Sequence, residues 1–437
     1  MSDFQLPISI NNLYQLFKKH PSVCTDTRKI QNGDLFFALK GDKFNGNLYA
    51  IQALEKGAAY AIVDEEVSDN RYSKQIIKVD DALTWLQDLA GFHRDQFNIP
   101  FIAITGSNGK TTTKELVHAV LSEKYITYTT EGNLNNHIGI PLTLLKIKKD
   151  AEMAIIEMGA NHLREIAGYC VYAKPTHGII TNCGKAHLEG FGSIEGVRKG
   201  KGELYDYLRD HNGTAFVMWD YHYLREMSKN IREIVRYGTK DAQTTGTEYG
   251  SMTHLQVHIT SGQFTGSIKT QLTGNYNLPN VLAAVAIGNY FHVEPADIKQ
   301  GIEKYSPSNS RSQLINSGTN TIIMDAYNAN PSSMKLAIDN FSQYPAKEKI
   351  LLLGAMAELG PSSRAEHEQI IHQIGANKWK DVILVGGDFL HIKHPYRAFG
   401  TSAEAGEWLA SHSFQNTAFL VKGSRSMQME QVLKSIR

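Results

Sequence analysis

Apolar residues in this chain fall into short runs, separated by stretches in which they recur at helical spacing. Up to about Asp80, "LFFAL" and "AYAIV" read as strands around a helical stretch near Asn47 to Lys56. The pattern then changes. In "DDALTWLQDLAGFHRDQF", Leu83, Leu86, Leu89, Ala90 and Phe97 follow a helical period, and Asp80 or Asp81 can cap the helix. Beyond it come "FIAIT", "AEMAIIEM", "HGIIT" and "TAFVMW", most of them separated by helical patterns. That alternation predicts a parallel sheet with crossover helices. From "THLQVHIT" through "GSIKTQL", apolar and polar residues alternate between turn signals, which predicts antiparallel strands at a sheet edge. From about Ser310, "TIIMDA", "KILLLGA", "DVILVGG" and "TAFLVKGSRS" alternate with helical patterns, as in an open, doubly wound domain.

The expected fold class is therefore α/β in three domains. Residues 1–80 form a small α/β domain, 81–309 a central domain with a mostly parallel sheet, and 310–437 a Rossmann-like domain. In doubly wound sheets ligands bind beyond the carboxyl ends of the strands. Asp325, Glu358, Asp388, Lys422 and Arg425 cluster there in the last domain, although strand ends also lead into polar loops as a matter of course.

Bulk properties narrow the function. A length of 437 residues fits three domains at roughly 150 residues each. The hydrophobic share of 42% and charged share of 20% are those of a soluble globular protein. No apolar run reaches the ~18 residues of a membrane span, so membrane insertion is not expected. "MSDFQLPISI" lacks the basic and apolar regions of a signal peptide. Cys24, Cys170 and Cys183 are odd in number and have no metal spacing, which fits the cytoplasm. A formal charge of +1 argues against nucleic-acid binding through a broad basic field, while leaving a local anion site open.

The candidate anion site is "FIAITGSNGKTTTKE". The common phosphate-loop signature is G-x-x-x-x-G-K-[ST], but Ile104 stands where its first glycine belongs and Gly106 comes too late. The loop nevertheless lies between a buried-strand candidate and the helix candidate "TTKELVHAVLSE", where backbone N–H groups and the helix dipole favour phosphate. Lys110 would meet the outer phosphates and Thr111 could ligate Mg²⁺. The plain alternative is a helix start with an incidental lysine. Glu157 closes the apolar run "AIIEM", where a carboxylate is costly unless paired or metal-bound. His187 sits in "NCGKAHLEGFGS", and Lys199 and Lys201 in "VRKGKGELYDYL". Taken singly, these read as a loop histidine and a solvated helix face.

Together the motifs resemble the muramyl ligases, ATP-dependent peptide ligases of bacterial cell-wall synthesis. "TGSNGKTTT" matches their short loop T-G-[ST]-N-G-K-T-T. "EGNLNNHIGIPLTLL", "IIEMGANHLREI", "NCGKAHLEGFGS", "GNYNLPNVLAAVAIG", "DAYNANPSSM" and "VKGSRSM" follow in order, so the resemblance covers nearly the whole chain. "NLNNHIGIPLT", "HLEGFGS" and "DAYNANP" resemble the branch that adds D-alanyl-D-alanine to UDP-N-acetylmuramoyl-tripeptide. The resemblance implies a uridine-nucleotide domain first, an ATPase domain next and a closing domain last.

It also implies site roles. Gly106, Ser107, Asn108, Gly109, Lys110, Thr111 and Thr112 hold the phosphates of ATP. Thr111, Glu157, His187 and Lys201 serve Mg²⁺, with two ions expected and Lys201 carbamoylated. Lys110, Glu157, His187 and Lys201 form the catalytic set. Asn277 and Asn280 meet adenine, unless they cap the following helix, for which Asn280 is placed. Arg311, Asp325 and Tyr327 meet the nucleotide. Thr27, Arg28, Asn135, Asn136, Asn328, Asn330, Lys422 and Arg425 are implied substrate contacts. A monomer is expected. The chain departs from the family at Gly200 (usually alanine), at Tyr276 (often histidine), at Ala355 (usually aspartate), and at Asn45 and Asn47, where F-D-G-H is common. A sibling adding one amino acid, a folylpolyglutamate synthase and a silent nucleotide-binding regulator remain as alternatives. "NANP" stands where the sibling adding the third residue carries D-N-P-R.

Overall fold

The computed structural model describes residues 8–250, 253–308 and 310–436. Two compact units are present. One comprises residues up to Ala103, Ile126–Gly159 and Glu165–His177; the other comprises Ile104–Tyr125, Ala160–Arg164 and Gly178 onward. The strand Phe101–Thr105 falls partly in each.

In the first unit, Val23–Cys24, Leu35–Phe37, Tyr60–Val63 and Ile76–Lys78 form a parallel sheet in that order. The helix expected near Asn47 is shorter than its pattern suggested: a 3-10 turn, Gly46–Tyr49, precedes the helix Ala50–Glu55. The next helix is Ala82–Arg94, and Asp81 caps it by accepting from the Thr84 N–H at 2.6 Å. Asp80 accepts from the Trp85 indole instead. Phe97 lies beyond the helix end rather than on its face. Arg94, buried, donates to the carbonyls of Phe97, Ala173 and Lys174 at 3.0, 3.1 and 2.9 Å, which fixes the turn that ends the helix. Thr127–Thr129 and Met153–Glu157 pair in parallel, with the helix Gly139–Leu145 between them in sequence.

In the second unit, a sheet runs His177–Ile180, Thr214–Met218, Glu233–Gly238, Thr244–Glu248, Gln256–Ser261, Gly266–Lys269. Pairing is parallel from Thr214–Met218 to Thr244–Glu248 and antiparallel for the last two strands, as the alternation predicted. Within Gln256–Ser261, Val257 and Ile259 are buried while their neighbours face outward.

A second sheet of this unit has the order Gln313–Ser317, Asn320–Asp325, Thr417–Lys422, Glu348–Gly354, Asp381–Val385, Arg397–Phe399. It is parallel except for the hairpin formed by its first two strands. Alternate residues serve opposite faces. Leu351, Leu353, Leu384 and Leu420 pack on one side with the helices Pro331–Ser342 and Ser363–Gly375. Ile350, Leu352, Ile383 and Phe419 pack on the other with Ser402–Ala410. In this sheet the two strands absent from the sequence reading are its two edges. Gln313–Ser317 is only partly buried and mixes polar with apolar residues; Arg397–Phe399 is three residues long and mostly exposed. Among the described residues no helix is long and apolar enough to cross a membrane.

Candidate active site

The loop after Phe101–Thr105 has a backbone suited to an anion. Ile104 is buried in the strand. Gly106 has φ +142°, and a Cβ there would stand 2.0 Å from Thr181 Oγ1, so both conformation and space require glycine. Gly109, at φ +79°, precedes the helix Lys110–Leu121. Lys110 opens that helix and folds back, its Nζ donating to the Gly106 carbonyl at 2.7 Å. The cradle thus places an ammonium group beside a helix N-terminus, a pairing that favours phosphate.

Residues after the strand His177–Ile180 hold the loop in shape. The Asn182 carbonyl accepts from Ser107 N–H at 2.9 Å, its Oδ1 accepts from Asn108 N–H at 3.1 Å, and its Nδ2 donates to the Asn108 carbonyl at 3.0 Å. Thr181 Oγ1 donates to the same carbonyl at 2.6 Å, and Ser107 Oγ donates to Gly184 O at 2.9 Å. Sequence reasoning missed Asn182. The available signal was an amide side chain directly after the apolar run "HGIIT".

Thr111 and Thr112 are nearly buried in the first turn of the helix. Thr113 Oγ1 donates to Asn280 Oδ1 at 3.0 Å, Asn280 Nδ2 to Asn277 Oδ1 at 2.9 Å, and Asn277 Nδ2 to Thr273 O at 2.8 Å. Asn277, not Asn280, occupies the N-cap position of the helix Leu278–Tyr290, and its side chain makes no capping bond. Asn280 sits inside the first turn, where it links this helix to the one that follows the loop.

Glu157, in the first unit, ends the strand Met153–Glu157 and is 1% exposed. Asn135 Nδ2 donates to its Oε1 at 2.8 Å, and Thr130 Oγ1 accepts from its N–H at 3.0 Å. Asn136 accepts from Gly139 N–H at 2.9 Å and so steadies the next helix start. A Cβ on Gly159 would meet the Asn135 amide at 3.0 Å. In the same unit, Arg28 is exposed and pairs with Asp26 at 2.8 Å, a contact that lowers the Asp26 carboxyl to about 2. The Thr27 carbonyl accepts from Lys56 Nζ at 2.9 Å. The two departures from F-D-G-H are internally satisfied: Asn47, buried, binds Asp64 and Asn45, and Asn45 binds Glu65 at 2.7 Å.

His187, at φ +53°, precedes the short helix Leu188–Phe191. Its Nδ1 lies 2.6 Å from Glu358 Oε2. The adjacent imidazole, with Lys110 adding to the field, holds the Glu358 carboxyl below its ordinary value against the opposing effect of burial. Lys201 is fully buried in the helix Ile194–Asp210. Its Nζ donates to Ala160 O at 2.8 Å and lies 5.1 Å from the centre of the Phe191 ring. That ring explains Gly200, where a Cβ would stand 2.4 Å from it.

The last sheet brings its predicted residues together. The Arg311 guanidinium stacks 3.6 Å from the Tyr327 ring centre, with Arg425 on the same ring at 6.0 Å. Arg425 also pairs with Glu430 at 2.9 Å. Asp325 accepts from Lys422 at 2.6 Å. Lys422 is 2% exposed and also donates to Asn328 O at 3.2 Å, so its ammonium is committed inside the fold. Asn330 caps the helix Pro331–Ser342 and donates to Asn108 Oδ1, in the phosphate loop, at 2.7 Å. Nearby, Lys185 pairs with the nearly buried Glu366 at 2.6 Å, and its N–H donates to Ser332 Oγ at 2.9 Å. Ala355, in place of the family aspartate, is buried, and a Cβ on Gly387 would lie 2.5 Å from its side chain.

Each unit by itself carries an oxygen donor of a kind that suits magnesium: the buried carboxylate of Glu157 in the first and the Thr111 hydroxyl in the second. Among the described residues no three His, Cys, Asp or Glu side chains converge. Mg²⁺ commonly takes one or two carboxylates and completes its shell with phosphate and water.

Comparison with known proteins agrees with this geometry. Residues 104–288 match the Mur ligase middle domain, 310–425 the Mur ligase glutamate ligase domain, and 21–94 the Mur ligase family catalytic domain. UDP-N-acetylmuramoyl-tripeptide–D-alanyl-D-alanine ligase of Bacillus subtilis is 33% identical, over 95% of this chain and 92% of its own. The protein of that name from Haemophilus influenzae is 35% identical, over 94% and 93%. Among solved structures, MurF from Acinetobacter baumannii superposes with a TM-score of 0.86 at 30% identity, covering 96% of this chain and 97% of that one. MurF ligase from Thermotoga maritima in complex with ADP gives 0.85 at 25% identity, covering 95% and 96%. With the loop, the sheets and the full-length matches in agreement, this chain belongs to the Mur ligase family.

Proposed function

We propose that the protein is an ATP-dependent ligase that joins D-alanyl-D-alanine to UDP-N-acetylmuramoyl-tripeptide, yielding ADP and phosphate. The observation that carries this reading is the full-length likeness, at up to 35% identity, to relatives named for that reaction. The phosphate loop supplies the chemistry such a reaction needs.

The tripeptide's terminal carboxylate attacks the γ-phosphorus of ATP, and ADP leaves an acyl phosphate. The dipeptide amine then adds to the acyl carbon, and phosphate departs from the tetrahedral adduct. Two anions must approach in the first step. Lys110 and the N–H groups of the loop stabilise the charge that builds there. Magnesium, when bound, would add Lewis-acid stabilisation of the phosphoryl oxygens, with Thr111, Glu157, His187 and a carbamoylated Lys201 as its proposed holders. Asn135 is suited to orient Glu157, and Lys422 to orient Asp325 toward a ribose hydroxyl. The proposed domains are 1–80 for the uridine nucleotide, 81–309 for ATP and 310–437 for closure and the dipeptide. Three free cysteines support a cytoplasmic setting.

An amine screen tests the proposal by phosphate release with UDP-N-acetylmuramoyl-tripeptide and ATP. Release with D-alanyl-D-alanine but not with single amino acids is expected. Release only with a single amino acid would identify a sibling ligase, and no release with any amine would indicate a nucleotide-binding regulator.

A further inference from the structure

The segment that braces the phosphate loop is itself held from its other side. Asn182 binds the loop through three hydrogen bonds, and the Gly184 carbonyl accepts from Ser107 Oγ at 2.9 Å. The next residue, Lys185, turns to the helices of the last sheet. Its N–H donates to Ser332 Oγ, in the helix Pro331–Ser342, at 2.9 Å. Its Nζ donates to Glu366 Oε1, in the first turn of the helix Ser363–Gly375, at 2.6 Å. Gly184 fills the gap between the two sides: a Cβ there would stand 2.9 Å from Ser332 Oγ and 3.2 Å from Asn108 Nδ2. The ion pair is lopsided, with the lysine side chain 44% exposed and that of Glu366 9%. A carboxylate so far out of water is costly without its cation, so Glu366 fixes the lysine more firmly than an exposed partner would.

We propose that Lys185 is a positioning residue for the phosphate loop: anchored by Glu366, it holds residues 182–185 where they shape the loop, and so sets nucleotide affinity. The inference rests on the reading of that loop as the ATP site. Lys185 acts without touching the nucleotide. A loop whose shape is fixed before binding spares the ligand the cost of ordering it. Asn330 donates to Asn108 Oδ1 at 2.7 Å, so the helix Pro331–Ser342 meets the loop directly there and through Lys185 a second time. Glu366 adds a second helix to the same hold. A neutral side chain at 185 would free the brace on this side and leave a nearly buried carboxylate unpaired.

Isothermal titration calorimetry of the full chain with ADP and Mg²⁺ reads nucleotide affinity without ligase turnover. Lys185→Met and Glu366→Gln should each weaken ADP binding by roughly tenfold, a coupling common between residues in contact. The double variant should bind no more weakly than the weaker single one, because both changes remove the same bond. Glu366→Gln that binds ADP as tightly as wild type overturns the role, whatever its thermal midpoint, since a lowered midpoint alone marks a structural bond. Losses that add in the double variant also overturn it, for they would mean that Lys185 acts by another route, such as His187 two residues on. If Lys185→Met does not fold, as judged by its circular dichroism, Glu366→Gln alone decides. Wild-type binding with unaltered variants leaves the ATP reading of the loop intact. A wild-type protein that binds no ADP removes that reading and this inference with it.

Discussion

Gly106 decides whether the loop can hold its shape, and Lys110 is the residue on which its proposed role is tested. Alanine at 106 would have to hold φ near +142° with its Cβ 2.0 Å from Thr181 Oγ1. Backbone strain of that type costs about 1–3 kcal/mol before any clash is counted. Gly106→Ala should therefore lower both thermal stability and ATP turnover. Gly132→Ala serves as the control: it also has positive φ, but its Cβ would meet nothing within 4 Å, and it should show strain alone. Equal losses in the two variants would mean that the contact with Thr181 is unimportant. Lys110→Ala should keep the fold and lose on the order of a hundredfold to a thousandfold in kcat, since charge stabilisation by a placed donor is commonly that large. Near-normal turnover would remove the lysine from the mechanism. The turn at Gly106 and the place of Lys110 at the helix start were legible because both are set locally. Asn182, which braces the same loop with three hydrogen bonds, was not, because its function depends on two strands that are adjacent only after folding.

At the scale of elements, two contacts tie helices to the site. Asn330 caps Pro331–Ser342 with its Oδ1 and holds Asn108 with its Nδ2. Serine can keep the cap but not the second bond. Asn330→Ser should leave the melting temperature nearly unchanged and raise KM for ATP, whereas Asn330→Ala should also lose about 1 kcal/mol of stability. A normal KM in the serine variant would make the Asn108 contact incidental. Gly200 gives the second case. Glycine inside a helix usually costs up to about 1 kcal/mol relative to alanine, so Gly200→Ala would ordinarily stabilise. Here the added methyl would stand 2.4 Å from Phe191, the ring that also flanks Lys201 Nζ. Gly200→Ala should destabilise the wild-type protein and cease to do so in a Phe191→Leu background. Additive effects in that double-mutant cycle would exclude the ring as the cause. Most of the alternation of strands and helices was legible, because hydrophobic period is a property of each element alone; Thr127–Thr129, Glu233–Gly238 and Thr244–Glu248, rich in polar residues, were not. The edge strands Gln313–Ser317 and Arg397–Phe399 were not, since an edge buries too little apolar surface to mark its pattern. Asp325 and Lys422 were legible as polar residues clustered at strand ends, but not as a pair, since the two strands that align them lie far apart in sequence.

For the molecule as a whole, acid should act through buried imidazoles before it reaches the carboxylates. His367 is buried, and both of its ring nitrogens are engaged. Nε2 accepts from the Met356 N–H at 3.0 Å and Nδ1 faces Ser363 O at 2.7 Å, so the ring must be neutral with its proton on Nδ1. Burial holds it below its ordinary value of 6.5. His93, in the first unit, is likewise lowered by burial, with Tyr14 and Ile147 O as its partners. The unfolded chain takes up these protons as pH falls through 6.5 while the folded chain resists. Stability is then full above 6.5 and declines toward each folded value, by at most about 1.4 kcal/mol per pH unit for each group. Glu358 acts in a lower window. Its folded value lies below 4.5, so its contribution is present above 4.5 and is lost as pH falls through the folded value. The two windows share one segment, because the Met356 N–H held by His367 lies two residues before the carboxylate that faces His187. Thermal midpoints measured against pH should therefore show two separate slopes. His367→Gln should flatten part of the decline that begins below 6.5, His93→Gln should flatten another part, and Glu358→Gln should alter only the slope below 4.5. If His367→Gln kept the full wild-type decline between pH 6.5 and the onset of the Glu358 window, the neutral His367–Met356 bond would not be what anchors this segment.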